Sequence, residues 1–241
     1  MRAISIIFRR ELGAYLRSPI GYIVAAIVLL IDGILFQARA LGADKRLSAD
    51  VLSEFFHLAS GTTMIAAVIL SVRLVAEERQ NGTLVLLNTS PVRDAEIVVG
   101  KYLAALVFLA GMTVLSIYMP LLVMVRGKIS AGQIVIGYSG LMLIGSAALA
   151  MGVFASSLTR HQLLAAALGA ALVGGSLLMY YLSKRLDAPL KNVFSSLDLY
   201  ASHFVPFRNG VLHLKHVVFY LATTYFFLLL STKTMEAKRW Q

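Results

Sequence analysis

Hydrophobic and polar positions along the chain alternate between long apolar runs and short charged stretches. Six runs approach the ~20 apolar residues that cover a ~30 Å hydrocarbon core. They fall at about 20 to 38, 58 to 76, 102 to 125, 133 to 155, 162 to 182 and 212 to 232. The pattern predicts an all-α integral membrane protein, with six transmembrane helices in a single transmembrane domain over 1–241. Ahead of them, residues 1–18 place Ile4, Phe8, Leu12, Tyr15 and Leu16 at helical spacing among Arg2, Arg9, Arg10, Glu11 and Arg17. This predicts an amphipathic helix lying in the membrane interface. Ser18-Pro19 then restarts the chain, and Pro120 predicts a kink inside the third run. In the fourth and fifth runs, Ala148 with Gly152 and Ala165 with Gly169 stand four apart. Such pairs let helix backbones approach closely, within the protomer or across a dimer face.

The connections differ in character. Residues 41–57 read as a short polar loop. Residues 183–210 carry Leu190, Val193, Phe194, Leu197, Leu199, Tyr200, Phe204, Val205 and Phe207 among polar groups, predicting extracytoplasmic short helices that dip into the outer leaflet beside the bundle. The 77–100 connection is the most charged. Glu77, Glu78 and Arg79 extend the second helix to Asn81-Gly82, where glycine can take the left-handed cap conformation. Thr83 can cap a short helix bearing Leu84, Leu86 and Leu87. Ser90 as N-cap, Pro91 at the first helical position and Asp94 and Glu96 near the first turn open the next helix. The expected product is a rigid elbow fused to two transmembrane helices, so that a push on it moves both.

Composition narrows the chemistry. At 59% apolar and 14% charged residues, the chain departs from the roughly 25% charged profile of a soluble domain. It has no cysteine, which excludes thiolate nucleophiles, disulfides and cysteine-ligated metals. No G-x-x-x-x-G-K-[ST] phosphate loop, paired catalytic carboxylates or H-E-x-x-H motif occurs, so no catalytic residue is assigned and any ATP hydrolysis belongs to a partner. His213 and His216 stand three apart without a third ligand at fixed spacing, and no metal site is expected. The net charge of +10 reads as contact with anionic lipid and not with nucleic acid. Lys233, Lys238, Arg239 and Trp240 fit an interfacial anchor, and Tyr180, Tyr181 and Tyr200 the opposite aromatic belt.

Asp32 falls near mid-membrane, where an ionisable group marks either a polar substrate path or a hydrogen-bonded helix contact. Arg73, near the other end of its span, is expected to meet Glu11 or a lipid phosphate at the interface. Ala38-Arg39-Ala40 imitates a signal-peptidase site, but the preceding run is longer than the usual apolar region of a signal peptide and contains Asp32, so it reads as a retained span. Basic residues divide almost evenly between the two sides. Arg2, Arg9, Arg10 and Arg17 before the first span, against Arg39, Lys45 and Arg46 after it, favour a cytoplasmic N-terminus.

The stretch EERQNGTLVLLNTSPVRDAEIVVGKYLA resembles the EER…GT…LL…P…GK segment of ABC-2 type transporter permeases. FRRELGAYLRSPIGYIV and SHFVPFRNGVLHLKHVVFYLATTYFFLLLSTKTMEAKRW look like the subfamily of gliding-motility and nitrous oxide reductase maturation permeases. The resemblance implies a type V exporter-like, six-helix half in the bacterial cytoplasmic (inner) membrane, with both termini cytoplasmic. It implies two copies of an ABC ATPase subunit, which bring ATP and Mg, and a second permease, either the same chain or a related one. Glu77, Glu78, Arg79, Gly82, Thr83, Leu86, Leu87 and Pro91 would belong to the segment that contacts the ATPase. Many members carry Glu two residues after Gly-Thr, where this chain has Val85. Three functions stand as expectations: export of a substrate, transmission of ATPase motion to a periplasmic partner without transport, and, with no motif behind it, an intramembrane enzyme built on Asp32 and the histidines.

Overall fold

A computed structural model describes residues 2–41, 48–80, 92–127, 129–187 and 190–239, and within these every regular element is helical. In order they are α1 (Arg2–Arg17), α2 (Pro19–Leu35) continued by a π-helical turn (Phe36–Leu41), α3 (Ser48–Gln80), α4 (Asp94–Leu115), α5 (Tyr118–Arg126), α6 (Ala131–Leu158), α7 (Gln162–Ser183), α8 (Leu190–Leu197), α9 (Val205–Arg208) and α10 (Leu214–Arg239). Six stretches are long and apolar enough to cross a membrane: Pro19–Ala38, Ser48–Gln80, Asp94–Val125, Ala131–Leu158, Gln162–Ser183 and Leu214–Lys238. They fall on the six predicted runs.

Two of these helices form the inner pair. In their most apolar windows 78% of α6 and 72% of α3 is buried, against 17% for α2, α7 and α10. The outer three therefore present their apolar faces to lipid or to another subunit. Small residues set the inner packing. A Cβ on Gly152 would collide with the Ser71 hydroxyl of α3, and Gly169 on α7 lies against the Gly152 backbone. Ala148 and Ala165 are fully buried as well. The small-residue pairs therefore act within the protomer, while Gly174 and Gly175 have no neighbour that a Cβ would meet.

Local chemistry sets the helix ends. The Ser18 hydroxyl accepts from the Ile20 amide at 3.3 Å, with Pro19 in the first turn of α2. The expected opening of the next helix at Ser90-Pro91 is corrected, since Val92 and Arg93 are not helical. α4 begins at Asp94, where the Glu96 carboxylate accepts from the Arg93 amide at 3.2 Å and Asp94 and Glu96 occupy the first turn. The kink expected at Pro120 appears as a break at Ser116–Ile117, between α4 and α5. Proline has no amide for the Ser116 carbonyl four residues back, and the Met119 amide takes that carbonyl at 3.1 Å.

Three other expectations change. The predicted 41–57 loop is helical from Ser48 onward, because Val51, Leu52, Phe55 and Phe56 form an apolar helical face that is buried in the core. α3 thus reaches 33 residues, about 50 Å long. On α1 the buried side runs through Ile7 and Tyr15, while Leu16 is exposed. The 183–210 segment does not simply dip into lipid beside the bundle. Leu199, Phe204 and Phe207 are fully buried in the core cluster, and among the large apolar side chains described in this segment the exposed ones are Leu190, Val193 and Leu197 of α8.

Candidate functional site

The charged residues of the elbow meet at one end of the bundle, called here the elbow end, where α3 stops and α4 starts. α1 lies against α4 because Gly100 leaves room for it: a Cβ there would stand 3.0 Å from the Ile7 Cβ and 3.2 Å from the Ile4 carbonyl. One residue on, Lys101 turns into the gap with only 2% of its side chain exposed. Its Nζ donates to Glu11 at 3.0 Å and pairs with Glu78 at 2.8 Å. Arg10 reaches the same two carboxylates from the rim, at 2.6 Å to Glu11 and 2.9 Å to Glu78. Two cations and two carboxylates from α1, α3 and α4 thus close a neutral network.

An ammonium so deeply buried is tolerable only when paired, and removing one partner of such a group typically costs about 3–5 kcal/mol. Burial would raise the Glu11 carboxyl, but Lys101 and Arg10 outweigh it and hold it below the usual range. Beside the network, Tyr15 donates to the Leu70 carbonyl at 2.9 Å and stacks on Phe108. A polar cleft of about 200 Å³ opens here, lined by Glu11, Tyr15, Arg73, Glu77, Glu78 and Lys101.

The expected Arg73–Glu11 contact is replaced by a local one. Arg73 donates to Glu77, four residues on, at 2.9 Å, the spacing at which helical side chains meet. Arg79 turns away from the elbow and donates to the Ser157 carbonyl of α6 at 2.7 Å. Gly82, Thr83, Leu86, Leu87 and Pro91 lie outside the described residues, as do Asn81, Ser90 and Trp240.

A second tie joins α6 to the last turns of α3. The Ser156 hydroxyl accepts from the amides of Val75 at 3.2 Å and Ala76 at 2.9 Å, and donates to the Val72 carbonyl at 2.9 Å. A serine hydroxyl thereby sits in the α3 ladder. Sequence reasoning missed Lys101, Gly100, Arg10 and Ser156 as members of the site. The Gly-Lys pair and the arginine next to Glu11 were the available signals; a serine among small residues offered none.

Asp32 is buried where α2 meets α3, 2.6 Å from the Thr62 hydroxyl. At the end away from the elbow, Ser53 and His57 of α3 meet the α8–α9 segment. Arg208 donates to the Ser53 hydroxyl at 2.7 Å and to the Tyr200 hydroxyl at 3.4 Å, Ser53 donates to Asn209 at 3.2 Å, and His57 bonds Tyr200. Tyr200 is therefore a packing residue and not a free belt tyrosine. His216 meets His203 Nδ1 to Nδ1 at 2.9 Å. Among the described residues no group of three or more histidine, aspartate or glutamate side chains is placed to hold a metal.

No curated protein matches the chain. The family model of the ABC-2 type transporter matches residues 2–183, which takes in α1, the elbow, the ion network and the inner helix pair. With that match over most of its length and six membrane-crossing helices, the chain belongs to the ABC-2 type transporter family and is a permease component of an ABC transporter.

Proposed function

We propose that the ion network of Arg10, Glu11, Glu78 and Lys101 is the joint through which a separate ATPase drives this permease. The observation that carries the reading is the buried Lys101 at the root of the 81–91 connection, bonded to carboxylates from two other helices. A force on the connection enters α3 and α4 together, and the network carries it into α1 without bending any one helix. Glu77, Glu78, Arg79, Gly82, Thr83, Leu86, Leu87 and Pro91 remain the segment assigned to ATPase contact. Within it, Glu78 and Arg79 serve to brace α3 as well. The working unit is two permeases, identical or related, with two ATPase subunits that bind ATP and Mg, in a bacterial inner membrane with both termini cytoplasmic. Substrate export follows from nucleotide-driven switching between two arrangements of the pair.

A second reading has its own support. α3 is one continuous helix from the network to the far-end contacts of Ser53 and His57 with Tyr200, Arg208 and Asn209. Motion at one end therefore reaches the other along the helix itself, which suits transmission to a periplasmic partner, and the likeness of both chain ends to gliding-motility and nitrous oxide reductase maturation permeases agrees with it. In both readings Asp32 serves the α2–α3 contact through Thr62.

Affinity purification of the full chain in mild detergent tests the shared premise. A co-purifying P-loop ATPase that is lost when residues 82–90 are replaced by a glycine-serine linker supports it. Purification of a folded permease with no ATPase refutes it.

A further inference from the structure

Three cations converge on the elbow-end terminus of α6. Arg79 from α3 donates to the Ser157 carbonyl at 2.7 Å. Lys238 from α10 donates to the same carbonyl at 3.2 Å and to the Leu158 carbonyl at 2.7 Å. Sharing one oxygen holds these two charges within about 6 Å of each other, well inside the ~8 Å screening length of physiological salt. Arg160, exposed in the turn between α6 and α7, repels both of them.

The helix terminus accounts for part of this. Its carbonyls carry only about half a negative charge, against three full positive ones. Among the described residues the nearby carboxylates are committed elsewhere: Glu77 to Arg73, Glu78 to Arg10 and Lys101, Glu236 to Lys233. The cluster thus holds a surplus of cation that an external anion would relieve. The same turn is also apolar, with Leu158, Leu163 and Leu164 exposed and Leu163 85% so. An acidic protein surface would cover the charges and leave apolar contact unmet. A phospholipid meets both needs, with its phosphate on the cations and its chains along the leucines.

We propose that Arg79, Arg160 and Lys238 form a binding site for the headgroup phosphate of an anionic phospholipid. The site needs only that the helices span a bilayer, and Arg79, although it belongs to the segment assigned to ATPase contact, is turned here to the α6 terminus.

Arg160→Gln is the variant of choice, because Arg160 makes no side-chain hydrogen bond among the described residues and its loss spares the α6 terminus. The full chain, purified in neutral detergent, is titrated with phosphatidylglycerol or phosphatidylcholine, and bound lipid is counted by native mass spectrometry. The wild type is expected to retain phosphatidylglycerol at least tenfold better than phosphatidylcholine. Arg160→Gln is expected to retain it about fivefold less, the equivalent of about 1 kcal/mol per cation at an anionic surface, with phosphatidylcholine unchanged. Its melting temperature in neutral detergent should hold or rise as repulsion is relieved. Equal retention of the two lipids, or equal phosphatidylglycerol retention by both proteins, overturns the proposal. So does full competition by inorganic phosphate, which would make the ligand a free anion. Loss of a co-purifying ATPase from Arg160→Glu with lipid retention intact would assign the patch to a protein and equally overturn it.

Discussion

The two ends of α3 are held by different forces. At the elbow end, charge does the work: a buried lysine, two carboxylates and a rim arginine lock α1, α3 and α4 together. At the far end the contacts are mainly aromatic, with Phe55, Phe56, Phe204 and Phe207 in the core, Tyr138 packed against it, and hydrogen bonds around Tyr200 in which Arg208 is the charged member. Ionic pairing is directional and costly to break, so it holds three helices in one geometry. Apolar packing is just as closely fitted, but it matches shapes and does not select charge partners. One helix is thus tied by specific charge partners at the end where force is proposed to enter and by shape-matched packing where it leaves.

The sharpest way to break this contrast is Lys101→Ala. It leaves Glu11 and Glu78 buried with Arg10 alone and should cost about 3–5 kcal/mol, read as loss of the thermal transition in detergent. Gly152→Val places two methyl groups against Ser71 and the α3 backbone and should cost about 1–3 kcal/mol or more by overpacking, on the same assay. Tyr220→Phe at the far end removes the 2.7 Å bond to the Leu199 carbonyl and should cost about 1–2 kcal/mol. The smallest effect is expected from Asp32→Asn, whose amide oxygen can still accept from Thr62, at under about 1 kcal/mol.

Acid should separate the ends in order. Burial holds the His203 imidazole below its ordinary 6.5, despite the Ser196 carbonyl and Asp198. The unfolded chain therefore takes up that proton first, and the far end loses stability as pH falls through 6.5. Glu11 is held below its ordinary 4.5, so the support it gives is complete above that value and is lost only as pH falls below it. Hydrogen exchange followed from pH 7 to 4 should show far-end amides near His203 opening before those of α1.

Much of this architecture was legible in the chain, for physical reasons that particular residues illustrate. The six spans follow from runs of apolar residues, since a bilayer demands them whatever the packing. The ion network was half legible. Glu11, Glu77, Glu78 and Arg79 stood out as charges near a membrane boundary, but which charge meets which depends on how α1 crosses α4. Arg73 went to Glu77, its neighbour one turn on, and Glu11 to Lys101, ninety residues away. Residues 48–57 looked polar because Ser48, Asp50, Ser53, Glu54 and His57 mask an apolar helical face. Leu199, Phe204 and Phe207 were correctly read as too apolar for water, yet nothing in their spacing distinguished lipid from the bundle core as their solvent.

Hydrolysis of ATP by the partner ATPase with the full-length permease in lipid bilayers, wild type against Lys101→Gln, tests the central claim most directly. The account predicts that the ATPase still co-purifies with a folded Lys101→Gln protein, while permease-dependent hydrolysis falls at least tenfold toward that of the isolated ATPase. Undiminished hydrolysis in a folded Lys101→Gln complex would contradict it, and the buried network would then be a structural clamp with no part in coupling.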